Sequence, residues 1–316
     1  MAERSESSGG EFRSGFVCFV GRPNTGKSTL TNALVGAKIA ITSSRPQTTR
    51  HTIRGIVHRD HAQLILVDTP GLHRPRTLLG QRLNDLVRDT YSEVDVIALC
   101  IPADEKIGPG DRWIVQQIRQ MAPRTTLLGV VTKIDKVSRD EVAVQLLAVS
   151  ELLGPDSDVV PVSAVRGEQV EVLVDVIASK MPEGPAFYPD GELTDEPEET
   201  LMAELIREAA LEGVRDELPH SLAVVIEEVL PREEDPPRET SSRKEELLDV
   251  HALLYVERPS QKAIVIGKGG ARLKEVGTAA RKQIEHILGV RIYLHLHVKV
   301  AKDWQRDPKQ LGRLGF

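Results

Sequence analysis

Along the first half of the chain, short continuous apolar runs alternate with polar segments of helical period. Phe16-Val17-Cys18-Phe19-Val20 is the first such run, closed by a Gly-rich turn. A strand buried on both faces of a sheet has this form. Lys27 to Val35 then reads as a helix, and Ile53–His58 and Gln63–Val67 as the second and third strands. Val94–Ile101, Thr126–Val131 and Val159–Val162 are three further apolar runs with helical patterns between them. Val170, Leu173, Val174 and Ile177 recur at i, i+3, i+4 and i+7, and that helix stops at Met181-Pro182, where proline cannot continue a helix interior. The pattern predicts an α/β domain with a mostly parallel six-stranded sheet and helices on both faces.

The pattern changes after Met181. Residues 182–198 hold four prolines, two glycines, six acidic residues and no basic one, which reads as a linker. Glu199–Val214 is helical, with Leu201, Leu205 and Ala209 on one side. Ser221–Val229 and Leu247–Val256 read as strands joined by the polar stretch Pro231–Glu246. Two helical segments meet around Gly267–Gly270. A last strand, Val290–Val300, alternates Ile292, Leu294, Leu296 and Val298 with Tyr293, His295, His297 and Lys299. The expected organisation is a polar tail (1–14), an α/β domain (15–181), the linker (182–198) and a smaller α+β domain of order α-β-β-α-α-β (199–316).

Composition narrows the function. Of 316 residues 40% are hydrophobic, too many for a disordered chain. No apolar stretch reaches the ~18 residues of a membrane span, and the polar N-terminus lacks the apolar core of a secretory signal. Cys18 and Cys100 both lie inside expected strands, which excludes a disulfide scaffold and a cysteine zinc site and fits a reducing cytoplasm. The net charge of −6 hides an asymmetry. Residues 241–316 carry 15 Lys and Arg against 8 Asp and Glu, a net of +7; the remainder carries 26 against 39, a net of −13. A basic C-terminal quarter suits a polyanion; a merely solvated charged surface would carry the same residues.

Gly21-Arg22-Pro23-Asn24-Thr25-Gly26-Lys27-Ser28 matches G-x-x-x-x-G-K-[ST] between an expected strand and an expected helix. At average glycine usage the pattern arises by chance in roughly one chain in a hundred of this length. Glycines let successive N–H groups curl around phosphate oxygens, and the helix N-terminus adds positive potential. Lys27 is placed to reach the β- and γ-phosphates and Ser28 to ligate Mg²⁺, with Thr29 beside it in the first helical turn. Asp68-Thr69-Pro70-Gly71 ends the third strand. There Asp68 can hold Mg²⁺ through water, and the Gly71 N–H can meet a γ-phosphate. Thr49, between the first helix and second strand, is the favoured switch threonine, with Thr48 as the other candidate.

A base-reading element, Thr132-Lys133-Ile134-Asp135, follows the fifth strand. A carboxylate at Asp135 can accept from guanine N1–H and the 2-amino group, which adenine does not present. The Lys133 stem can lie over the purine ring, and Ser163-Ala164 can bring a main-chain N–H near O6. Each piece is short, but all fall in order at successive strand C-termini.

With these motifs, Gln47-Thr48-Thr49-Arg50-His51, Asp68-Thr69-Pro70-Gly71-Leu72-His73 and Val265-Ile266-Gly267-Lys268-Gly269-Gly270, the chain resembles the bacterial Era GTPases from about Gly15 to its C-terminus. The resemblance implies a GTPase domain followed by a type II KH domain, Mg²⁺ as cofactor and potassium as a possible second cation near Asn24. It implies binding to the 3′ end of 16S ribosomal RNA, a part in 30S subunit assembly, cytoplasmic location with some peripheral membrane contact, a monomer and no DNA partner. It also implies slow turnover, since Leu72 stands where Ras-like enzymes carry a water-orienting glutamine. Two competing readings are a nucleotide sensor with negligible hydrolysis and a basic domain that docks on membrane or protein. The family usually has Asn where this chain has Thr132. In the C-terminal part, Gly267, Lys268, Gly269 and Gly270 form a GxxG loop able to clamp a nucleic-acid backbone, with Lys262, Arg272, Lys274 and Arg281 as neighbouring cations. Trp304 reads as a packing residue.

Overall fold

The structure, a computed structural model, describes the chain outside residues 1–10, 43–48, 71–76, 213–217 and 233–246 and the side chains of 219 and 220. Six strands form one sheet: β1 (Arg13–Val20), β2 (Ile53–Arg59), β3 (Ala62–Asp68), β4 (Val96–Pro102), β5 (Thr126–Thr132) and β6 (Val159–Pro161). Their order is β2-β3-β1-β4-β5-β6; only β2 runs antiparallel to its neighbour. The helices between them are α1 (Lys27–Val35), α2 (Leu78–Glu93), α3 (Pro109–Met121), α4 (Arg139–Leu153) and α5 (Val170–Ser179).

Alternation within β1 explains why its apolar run is unbroken. Val17 and Phe19 pack with Leu30 and Leu34 of α1 and with Leu173 and Ile177 of α5. Cys18 and Val20 face the opposite side, with Val87 and Tyr91 of α2, Ile114 and Ile118 of α3, and Val149 of α4. Successive side chains point to opposite faces, and both faces are covered. Burial raises the Cys18 thiol far above its ordinary range and pushes Cys100 up to about 12; both are buried packing residues rather than nucleophiles. The sheet order reverses between β1 and its two neighbours, which opens a crevice at the C-terminal end of β1.

The supposed linker needs correction. The main-chain N–H groups of Phe187 and Tyr188 donate to Gln63 Oε1 at 2.7 and 3.0 Å, and Gln63 Nε2 donates to the Tyr188 carbonyl at 2.8 Å. The Ile56 N–H donates to the Leu193 carbonyl at 2.9 Å. Arg13 pairs with Glu183 at 3.1 Å, and Arg54 with Asp195 at 3.1 Å. Acidic residues in this stretch thus answer cations on β1 and β2. The last division between the two compact units falls between Asp195 and Glu196; the described residues of 41–48 and 75–82 group with the second unit. At the other end β1 begins at Arg13, inside the expected tail.

The second unit contains α6 (Glu198–Leu211), α7 (Leu218–Ser221), β7 (Ala223–Pro231), β8 (Leu247–Val256), α8 (Pro259–Ile266), α9 (Ala271–Leu288), β9 (Arg291–Val300) and α10 (Pro308–Arg313). Its sheet has order β7-β8-β9, with β7 antiparallel and β9 parallel to β8. Met202, Leu205, Ile206 and Ala209 of α6 and Val276, Ala280 and Ile284 of α9 cover one sheet face. The buried stripe of α6 is therefore broader than the expected Leu201-Leu205-Ala209 line, and it carries a buried Glu204–Arg207 pair. Trp304 is fully buried and donates to the Ser221 carbonyl at 2.9 Å, as a packing residue with a satisfied indole N–H.

Candidate functional site

The loop from Gly21 to Ser28 lies at the crevice. A Cβ at Gly21 would sit 2.6 Å from the Cys100 carbonyl, so only glycine fits between β1 and β4. Asn24 and Gly26 have φ of 64° and 94°, and Pro23 has no N–H to point anywhere. Side chains hold the loop's carbonyls. Lys27 Nζ donates to the Gly21 and Arg22 carbonyls at 3.2 and 3.1 Å, and Thr25 Oγ1 also donates to Arg22. Lys133 Nζ donates to the Asn24 carbonyl and Thr132 Oγ1 to the Thr25 carbonyl, both at 2.6 Å. These bonds satisfy the loop's carbonyls from the protein's own side chains, as a loop that gathers an anion requires. The first turn of α1 has no side-chain cap to compete for it.

Beside Lys27 and Ser28, Thr49 and Asp68 complete a cation site. The Ser28 and Thr49 hydroxyls lie 3.0 Å apart, and Thr49 Oγ1 donates to Asp68 Oδ2 at 3.2 Å. Asp68 is fully buried, and its Oδ1 has no hydrogen-bond partner among the described residues. Burial raises the Asp68 carboxyl and lowers the Lys27 ammonium, each offset by the other's charge. A divalent cation at Asp68 and phosphates at Lys27 would remove both penalties. The donors are oxygens, which suits Mg²⁺. Among the described residues no cluster of three His, Cys, Asp or Glu offers a softer metal site. Thr69 is buried behind Asp68 and donates to the Phe19 carbonyl at 3.4 Å. Pro70 follows; Gly71, Thr48, Leu72 and His73 lie outside the described residues.

A pocket of about 210 Å³ lies beside the loop, lined in part by Gly26, Thr29, Thr132, Lys133, Asp135 and Ala164. Asp135 Oδ1 accepts from Ser163 Oγ at 2.6 Å; that hydroxyl holds the Asp135 carboxyl below the ordinary carboxylate range. Ser163 is itself fixed by paired main-chain bonds with Glu168, and the Ile134 N–H reaches the Val162 carbonyl. The structure thus gathers the phosphate, metal and base-reading residues along the C-terminal ends of β1, β3, β5 and β6. The sequence reading missed Leu30, Lys136, Val162 and Val165 as pocket walls. Only their position next to the recognised motifs could have flagged them.

Residues 16–133 match a sequence profile described as a 50S ribosome-binding GTPase, and residues 217–305 one described as a KH domain. The chain is 79% identical over 306 residues to GTPase Era of Mycobacterium sp. (strain KMS), covering 97% of this chain and 99% of the relative. The chain belongs to the Era GTPase family. It is 73% identical over 307 residues to GTPase Era of Mycobacterium tuberculosis (strain ATCC 25177 / H37Ra), with the same coverage. A crystal structure of Era in complex with MgGDPNP and nucleotides 1506–1542 of 16S ribosomal RNA superimposes with a TM-score of 0.88. That structure shares 36% identity over 96% of this chain and 99% of its own. Aquifex aeolicus Era bound to GDP·AlF4⁻ matches with the same score, identity and coverage.

In the C-terminal unit of this Era-family chain, Gly267 to Gly270 join α8 to α9. Gly267, Gly269 and Gly270 have φ of 72°, 61° and 79°. A Cβ at Gly267 would lie 2.7 Å from Arg272 Cβ, whereas one at Gly269 or Gly270 meets open space. The loop thus presents bare backbone outward, with Lys268 exposed. A groove of about 550 Å³ runs from it between α9 and β9, lined by Gly270, Lys274, Gly277, Arg281, Tyr293 and Leu296 among others. Of the expected cations, Lys274 and Arg281 line the groove. Lys262 on α8 does not. Arg272 is corrected: its guanidinium donates to the carbonyls of Ala210 and Glu212 and ties down the end of α6. Gly277 and Tyr293 were not anticipated. The i, i+4, i+7, i+11 stripe of Gly270, Lys274, Gly277 and Arg281 would have found Gly277.

Proposed function

We propose that the protein binds GTP with Mg²⁺, hydrolyses it to GDP and phosphate, and couples this cycle to binding the 3′ end region of 16S ribosomal RNA during 30S subunit assembly. The observation that carries the nucleotide part is the convergence of loop N–H groups, Lys27, and the Ser28–Thr49–Asp68 triplet at the same crevice as Asp135. Ser28, Thr49 and water held by Asp68 would bind the cation, which supplies positive charge against the phosphate oxygens. Lys27 adds charge at the transferred phosphoryl group, and Asp135 with the Ser163-Ala164 turn selects guanine. The Gly71 N–H is assigned to the γ-phosphate. The RNA part rests on the bare GxxG backbone, the groove with Lys274 and Arg281, and the rRNA-bound relative.

In this reading the GTPase domain runs from β1 at Arg13 to Asp195 and the RNA-binding domain from Glu196 onward, in a cytoplasmic monomer. Potassium is the natural second cation near Asn24, and phosphate release in K⁺ against Na⁺ buffers tests it. Peripheral membrane contact rests on the basic C-terminal segment; sedimentation with anionic vesicles tests it. For the whole reading, the deciding experiment is phosphate release from GTP and ATP, with Mg²⁺ or EDTA, with and without a 16S 3′-end RNA. Guanine-selective, Mg²⁺-dependent release by an RNA-binding protein is expected. Equal use of ATP or absence of RNA binding would overturn the assignment.

A further inference from the structure

Side chains tie the stretch from the end of β4 into α3 to both ends of the nucleotide site, and its Asp104, Glu105 and Asp111 belong to none of the recognised contacts with phosphate or base. Arg22 Nε donates to Asp111 Oδ1 at 2.8 Å and its Nη2 to Glu105 Oε2 at 3.0 Å. Asp111, in the first turn of α3, is fully buried, and its Oδ2 accepts the Gly108 N–H at 2.8 Å. At the base end, Lys136 Nζ reaches Asp104 Oδ2 at 3.2 Å, and the Ala103 N–H donates to the Thr132 carbonyl at 2.8 Å. The segment is pinned from behind by buried Gln145 of α4, whose Nε2 donates to the Pro102 and Glu105 carbonyls, each at 2.9 Å.

We infer that residues 103–111 are a brace that holds the phosphate loop and the base-reading loop at a fixed separation, with Arg22 and Asp111 as its positioning residues. The inference rests on the guanine-nucleotide reading above. Arg22 is bifunctional. Its main-chain carbonyl accepts from Lys27 Nζ and Thr25 Oγ1, while its side chain is bonded to α3. Anchoring the side chain therefore fixes the carbonyl that aims Lys27. The fit is close, since a Cβ at Gly110 would lie 3.0 Å from Arg22 Cδ. Gathered N–H dipoles repel one another, so a loop without an outside anchor must be ordered each time a nucleotide enters. A braced loop has that cost removed beforehand, and preorganisation of this kind lengthens residence of the bound ligand.

The test uses the full chain and release of N-methylanthraniloyl-GDP in Mg²⁺ buffer. Asp111→Asn keeps an acceptor for the Gly108 N–H but removes the charge facing Arg22. It should speed release about tenfold, as loss of a charge-assisted bond predicts. Its KM for GTP should rise while kcat at saturation stays within about threefold, because in the bound state the phosphates themselves fix Lys27. Arg22→Lys, which keeps the charge but not the two-point contact, should fall between Asp111→Asn and the parent. Lys136→Ala should also speed release, through the base end. Should Asp111→Asn fail to fold, Arg22→Lys and Glu105→Gln carry the test. Release unchanged in the folded variants, or a lower melting temperature with unchanged release, would overturn the brace. Failure of the parent to bind the labelled GDP would instead overturn the nucleotide reading itself.

Discussion

Thr132 Oγ1 donates to the main-chain carbonyl of Thr25 at 2.6 Å, both buried at the floor of the phosphate loop. Threonine at this position therefore holds the loop and offers the base no amide. Thr132→Val should weaken GDP binding by ~0.5–1.5 kcal/mol, the value of one hydrogen bond. Thr132→Asn should tighten it modestly by adding the base-side bond. Isothermal titration of the three proteins with GDP checks both; equal affinities would show that the loop does not depend on this hydroxyl.

In the proposed site Asp135 selects the base. Asp135→Asn should shift preference from guanine to xanthine nucleotides, whose 2-carbonyl accepts from the new amide where the guanine amino group donated to the carboxylate. Competition between GDP and XDP is the measurement. The Ser163 hydroxyl depresses the Asp135 carboxyl, so the carboxylate persists across neutral pH. Its contribution to guanine binding is present above its ordinary range and is lost only as pH falls through the depressed value. Ser163→Ala should move that acid limb of the GDP-binding profile to higher pH.

Gly269→Asp should abolish RNA binding and spare GTP binding. A Cβ there meets nothing within 4 Å, and aspartate tolerates positive φ better than most residues. The new carboxylate would stand where a phosphate backbone must approach. In the parent, RNA affinity should fall with salt as Lys268, Lys274 and Arg281 displace counterions. Electrophoretic-mobility titrations at matched salt, with a melting curve as folding control, test this; parent-like RNA binding would reduce the loop to a plain turn.

Trp304→Phe keeps most of the buried ring but removes the indole N–H that donates to the Ser221 carbonyl. Loss of one hydrogen bond costs ~0.5–1.5 kcal/mol, which should appear as a lower urea midpoint for the C-terminal unit. Nucleotide affinity should be unchanged. A wild-type midpoint would mean that water replaces the indole N–H.

The sequence by itself determined the strands, because each is a short apolar run with a period of its own: α1 and β8 match their expected limits, and the other strands in the described residues lie within three residues of theirs. The phosphate, metal and base-reading residues proposed here were also legible in it, because backbone curl, charge and donor geometry call for those residue types at that spacing. Only the tertiary structure decided the long-range partners. Arg22 meets Asp111 across 89 residues, Arg272 bonds the last carbonyls of α6, and Gln63 binds residues 187 and 188 of a stretch that reads as linker. No local period encodes such pairs. They depend on which segments the sheet order β2-β3-β1-β4-β5-β6 and the packing of α6 on α9 bring within hydrogen-bond reach, and a charge on a loop has many possible partners until the chain is folded.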